Sequence, residues 1–141
     1  MNSDEDPPLR PDSPEALTSK SLAQLSDWVQ DVLTPYYLRE PSTTSLWCGY
    51  WYTHPEAVAR LWALYLAWRH LIHELDDDED PLVGAIAWQL EHLDKTLEQL
   101  RSPTGPFASC SSSPDRDDHH LLQPPICHPI PENYQLDLNP D

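Results

Sequence analysis

Glycine is nearly absent, with three among 141 residues. Phosphate-cradling loops and dinucleotide-binding turns need glycines clustered within a few positions. Neither pattern occurs, and no G-x-S-x-G nucleophile elbow occurs either. Basic residues are also scarce: eight Lys and Arg stand against 24 Asp and Glu, a formal net charge of -16. Nucleic-acid binding rests on cations that neutralise phosphates, and anionic membranes attract basic segments. The charge balance opposes direct binding to both and suits a basic protein partner. The three cysteines, Cys48, Cys110 and Cys127, are an odd set that does not suit a disulfide framework. No apolar run reaches the length of a membrane span. Residues 1–14 carry Asp, Glu and Pro where a secretion leader would be apolar. These features set the expectation of a cytoplasmic protein with reduced thiols.

Hydrophobic residues make up 39% of the chain, below the usual globular share. They are dense from Leu22 to Leu100 and sparse outside. The division expected is a disordered acidic tail over 1–20, a helical domain over 21–110, and an irregular Pro/Ser/His-rich tail over 111–141. Leu22, Leu25, Val29 and Val32 recur at three- and four-residue steps, which predicts a first helix from Ser21 to Leu33, stopped by Pro35. The connection after it is irregular, with room for a short strand. Thr53-His54-Pro55-Glu56 fits a capping box with Pro in the first turn of a second helix. Val58, Leu61, Tyr65, Trp68, Ile72 and Leu75 then form its stripe, widened by Trp62, Leu64 and Leu71. Asp76 to Asp80 make an acidic hinge, and Asp80 with Pro81 open a third helix. Its stripe is Val83, Ile86, Leu90, Leu93, Leu97 and Leu100, and Ser102-Pro103 ends it. Two helices with matched stripes and a short connection pair antiparallel. The fold expected is all-α: an antiparallel helix hairpin, a third shorter helix, and irregular ends.

Trp47-Cys48-Gly49-Tyr50-Trp51-Tyr52-Thr53-His54-Pro55-Glu56-Ala57 carries the motif W-C-x-x-W-x-x-H-P-E-A. Arg60 to Trp68, Gly84 to Trp88, and His92-Leu93-Asp94 follow in order, then Gly105-Pro106-Phe107 and Cys110 as G-P-F-x-x-C. Together these blocks resemble an uncharacterised actinobacterial domain family found in phages, plasmids and conjugative elements. The resemblance covers about Ser26 to Cys110 and extends toward His119. It implies a mobile-element setting and no particular activity. Where the family tends to show Pro-His after the aspartate at Asp94, this chain has Lys95-Thr96.

Cys48 and His54 flank the entry to the second helix, while Cys110 and His119 follow the third. An antiparallel hairpin places those points at one end of the bundle. Two thiolates and two imidazoles suit tetrahedral zinc. A structural Zn2+ would staple the chain after Ser109 to a small core. Against this, neither pair has C-x-x-C spacing, and Cys48 also fits as a small buried hydrophobe. His92, His120, Cys127 and His128 are alternative ligands.

The tryptophans could form a base-stacking platform, but at helical spacing they read as core. Asp76 to Asp80 lack the glycine and distal glutamate of a calcium loop and read as a solvated turn. Gln135, Leu136 and Leu138 resemble the core of the short peptide by which bacterial proteins dock on the DNA polymerase sliding clamp. The function expected is a non-enzymatic accessory or interaction protein with a protein partner. The alternatives are an acidic decoy of a nucleic-acid-binding protein and a metal-dependent enzyme.

Overall fold

Thr18 opens the first helix. Its Oγ1 accepts the Ser21 backbone N–H at 3.0 Å, so helical structure begins at Ser19, two residues before the expected start. The computed structural model describes residues 17–113 and 116–135. Three helices fill most of that span: α1 over 19–37, α2 over 55–73 and α3 over 81–101. The architecture is the expected all-α one, an antiparallel α2–α3 hairpin with α1 packed across it and irregular chain over 119–135, although α1, expected to be the shorter helix, is as long as α2. Among the described residues no helix is long and apolar enough to cross a membrane.

α1 does not stop at Pro35. A wide π-helical turn, Val29–Leu33, precedes it. The Thr34 N–H bonds the Val29 carbonyl, and the Leu38 N–H reaches the Leu33 carbonyl at 3.1 Å. In a regular α-helix Pro35 would lack a bond and clash with the carbonyl four residues back. The extra residue in the turn changes those partners, and the helix runs on to Tyr37.

α2 begins at Pro55 as expected, but the capping box does not form. His54 occupies the cap position without a side-chain cap bond. Thr53 belongs to the preceding 3-10 turn, Trp51–Thr53, and its hydroxyl donates back to the Tyr50 carbonyl at 2.7 Å. A local side-chain-to-backbone bond has displaced the cap. Glu56 instead pairs with Arg60 at 2.9 Å. At the other end α2 closes in a second π turn, Arg69–His73. α3 starts as its sequence indicates: Asp80 Oδ1 accepts the Leu82 N–H at 2.9 Å, with Pro81 at the first position.

The core gathers Leu25, Trp28, Val29 and Leu33 from α1 with Ala57, Val58, Leu61, Trp62 and Leu64 from α2. α3 adds Trp88, Leu93 and Leu100. Trp28 is the hub, with ring centroids 5.5 Å from Tyr65, 5.9 Å from Trp68 and 6.0 Å from Trp88. The Trp88 indole N–H donates to the Leu64 carbonyl at 3.1 Å. Trp28, Trp51, Trp62 and Trp88 are buried, while Trp47 and Trp68 are half-buried. The tryptophans are core, not a stacking platform.

The α3 stripe departs from expectation. Leu93, Leu97 and Leu100 face inward, but Val83, Ile86 and Leu90 are exposed. A third π turn, Trp88–Leu93, lies between the two halves. One inserted residue rotates the helix face by about 100°, the angular step of a residue. Beyond α3 a two-stranded antiparallel hairpin pairs β1 (Ser111–Ser113) with β2 (Arg116–Asp118), Ser111 opposite Asp118.

At Gly84 α3 crosses α2 closely, backbone against backbone. A Cβ there would lie 1.9 Å from the Leu71 carbonyl oxygen, which is backbone and cannot swing away. Gly84→Ala gains about 1 kcal/mol of helix propensity but forces the helices apart. The expected net result is a loss of about 1–3 kcal/mol, read as a lower urea midpoint. An unchanged or raised midpoint would show that the crossing is not tight.

Candidate metal centre

The start of α2 and the end of α3 meet at one end of the bundle, and Arg101 fastens the chain between them. Its guanidinium is buried and donates from Nε to the Leu46 carbonyl at 3.0 Å and from Nη2 to the Arg39 carbonyl at 2.8 Å. The Leu46 N–H returns a bond to the Arg101 carbonyl at 2.8 Å. This fixes the otherwise irregular connection two residues before Cys48. After α3, Gly105 and Ala108 close successive turns on Ser102 and Gly105. Ser109 then adopts φ 69°, the single positive value among the described non-glycine residues. That left-handed step leads into Cys110. The β1–β2 hairpin returns the chain and delivers His119.

The outcome is a cluster of four donors. Cys48 Sγ, His54, Cys110 Sγ and His119 lie with their ligand atoms all within 4.8 Å of one another. Cys48 Sγ is 3.1 Å from His119 Nδ1, and Cys110 Sγ is 3.7 Å from His54 Nε2. Zinc–sulfur and zinc–nitrogen bonds arranged as a tetrahedron require edges of about 3.3–3.8 Å between donors. The 3.7 Å distance lies within that range and the 3.1 Å distance just below it, and the donor chemistry is that of a Cys2His2 site.

Groups behind the donors orient them. Thr53 Oγ1 spends its proton on the Tyr50 carbonyl and lies 3.3 Å from His119 Nε2. It therefore accepts the Nε2 proton, which leaves the Nδ1 lone pair facing Cys48. His54 Nε2 is the ring nitrogen directed at Cys110 Sγ. The His120 backbone N–H and carbonyl oxygen each lie 3.3 Å from Cys110 Sγ, the N–H donating to the sulfur. Amide donors to sulfur stabilise thiolate, and partners on the second imidazole nitrogen fix the ligating tautomer. Phe107, fully buried, packs edge-on to His54 at 5.1 Å and against Trp47 at 5.0 Å. Tyr50 lies 5.2 Å from the His119 ring. Cys48, His54 and Cys110 are buried, while His119 is exposed.

Burial dominates the proton affinities. It pushes the Cys48 thiol from 9.0 up to about 12, with the Cys110 thiol pushing the same way and the Tyr50 amide acting against both. It lowers His54 below its ordinary 6.5, with His119 adding to the shift and the Pro106 carbonyl opposing it.

The four ligands expected from sequence are thus brought together. Four alternatives take other positions. His92 is half-buried beside Arg60, Ala63 and Thr96. His120 contributes its backbone and leaves its side chain exposed. Cys127 and His128 are exposed on extended chain. Gln135 is exposed, and Leu136 and Leu138 lie outside the described residues. Asp76 to Asp80 are all exposed in a turn closed by the Glu79 N–H on the Asp76 carbonyl at 3.0 Å. Thr53, Pro106 and Arg101 were not read as site residues from sequence. The odd signal was Arg101 itself, a cation at the end of an apolar stripe.

A family model described as a domain of unknown function (DUF4913) matches residues 22–131, and the chain belongs to that family. No curated protein and no solved structure matches the chain.

The shifted groups predict the pH response of protein stripped of metal by a chelator. His54 is depressed, so its contribution is intact above the unfolded value near 6.5 and is lost as pH falls below it. Cys48 is raised, so stability falls as pH climbs from 9.0 toward about 12, where the unfolded thiol ionises first. Melting temperature against pH should peak between these limits. Cys48→Ser should remove the alkaline decline and leave the acid limb. A flat profile would contradict burial of either group.

Proposed function

We propose that this chain is a non-enzymatic interaction module of an actinobacterial mobile element, working in the cytoplasm and stapled by one structural zinc ion. Cys48, His54, Cys110 and His119 are its ligands. The observation that carries the reading is the convergence of these four donors within 4.8 Å from three separate stretches of chain, with Thr53 behind His119 and the His120 amide on Cys110. Four protein ligands complete a zinc tetrahedron and leave no position for a reacting water, which favours a structural over a catalytic role. The aromatic wall of Phe107, Trp47 and Tyr50 supports the same view, because it keeps solvent from much of the cluster. The mobile-element setting follows from the resemblance in the W-C-x-x-W and G-P-F-x-x-C blocks. The net charge of -16 supports a protein partner with a basic surface.

Metal analysis of the purified full chain should return one zinc per molecule. Chelation should lower the melting temperature by at least about 10 °C, since structural zinc contributes folding energy directly. Restoring zinc should restore the transition. Cys110→Ser and His119→Ala should each lose stoichiometric zinc. A chain that purifies without metal and melts alike with and without chelator would end the reading.

A further inference from the structure

Four large aliphatic side chains stand in solvent along the first half of α3. Leu82 is 73% exposed, Val83 64%, Ile86 59% and Leu90 63%. Val83, Ile86 and Leu90 recur at three- and four-residue steps, and the ridge runs about 12 Å along the helix at 1.5 Å per residue. A single exposed leucine is ordinary. A run of four at helical spacing on a chain of low hydrophobic content is the mark of a contact surface.

The charges around the ridge select its occupant. Between Asp76 and Lys95 there are seven acids and a single Lys: Asp76, Asp77, Asp78, Glu79 and Asp80 lead into the ridge, and Glu91 and Asp94 follow it. All seven are exposed. Arg69, at the end of α2, is already paired with Glu74. A second copy laid on this face would set acids against acids in either direction. The chain's own remaining segments fare no better. Residues 1–16 hold five acids against Arg10, and residues 136–141 add Asp137 and Asp141 with no base. An apolar ridge inside an acidic frame is complementary to an apolar stripe inside a basic one.

We propose that the ridge formed by Leu82, Val83, Ile86 and Leu90 docks an amphipathic helix of another protein, one whose apolar stripe is bordered by lysine and arginine. The proposal rests on the reading of the chain as an interaction module and assigns that module's partner a chemistry. It does not depend on the zinc staple, which lies at the opposite end of the hairpin.

The test uses the zinc-loaded full chain and a synthetic helix of repeated Leu-Lys-Lys-Leu-Leu-Lys-Leu, followed by fluorescence anisotropy. Wild type should bind, and binding should weaken severalfold as salt is raised from low to about 150 mM. The triple variant Val83→Ser, Ile86→Ser, Leu90→Ser should bind at least about tenfold more weakly. It should keep the wild-type melting temperature and zinc content, because the three side chains are in solvent. A control helix with Glu for every Lys should not bind. Equal affinity for wild type and variant would overturn the proposal, since charge alone would then explain the binding. So would a failure of wild type to bind, or a wild-type dimer in sedimentation that the triple variant returns to monomer. A chain that holds one zinc and ignores the helix sinks the ridge and spares the staple; a chain without zinc that binds the helix does the reverse.

Discussion

The guanidinium of Arg101 is the contact on which the ordered end of this bundle depends. It is a buried cation in a strongly acidic protein, yet its described partners are carbonyls rather than carboxylates. Burial, with Arg39 nearby, pushes its pKa down, but a guanidinium stays charged in proteins. Taking it out of water is therefore offset by donated bonds, here to Arg39, Ser45 and Leu46. A connection this long without regular structure would otherwise be loose. Instead it is tied to the last turn of α3, and Cys48 is placed two residues beyond the tie. The approach of Cys48 to Cys110 follows from that fastening and not from the helices alone.

The two ends of the hairpin have opposite characters. At the Arg101 end, three stretches of chain converge, the walls are aromatic, two imidazoles face two thiols, and the Thr53 hydroxyl backs His119. At the Gly84 end, α2 and α3 approach too closely to admit a Cβ at Gly84, and the turn between them is a run of exposed acids. One end buries three of its four donors and needs them satisfied. The other presents charge and apolar surface to solvent. The first is suited to hold the fold and the second to meet another molecule.

Much of this was legible in the sequence. Asp80-Pro81 and Pro55 mark helix starts through rules that need no tertiary information. The four donors were legible because an antiparallel pair must bring the start of one helix to the end of the other. The capping box at Thr53 was not, since its four-residue pattern is silent about a competing 3-10 turn. Once Thr53 turns back to Tyr50, its hydroxyl serves His119, a partner 66 residues away that no local rule reaches. The hairpin carrying His119 was hidden for a different reason. Ser-Ser-Ser and Arg-Asp-Asp have no alternation of apolar and polar residues to announce strands. Yet that hairpin lies inside residues 22–131, the span matched by the family, so the strap that completes the cluster belongs to the domain.

The π turns explain the largest departure. Each of the three helices carries one, at Val29–Leu33, Arg69–His73 and Trp88–Leu93. A wide turn weakens the helix locally and persists where packing or function rewards it. In α1 it admits Pro35 without ending the helix. In α3 it begins at Trp88, which is fully buried against Trp28 and bonded to the Leu64 carbonyl. Had α3 stayed regular, its unbroken stripe from Val83 to Leu100 would have faced one way, into the core. Anchoring Trp88 inward, and holding Gly84 against Leu71, turns Val83, Ile86 and Leu90 outward instead. The exposed ridge is thus the consequence of how the tryptophan core and the tight crossing are satisfied together, and a small domain with little apolar surface to spare leaves that surface uncovered.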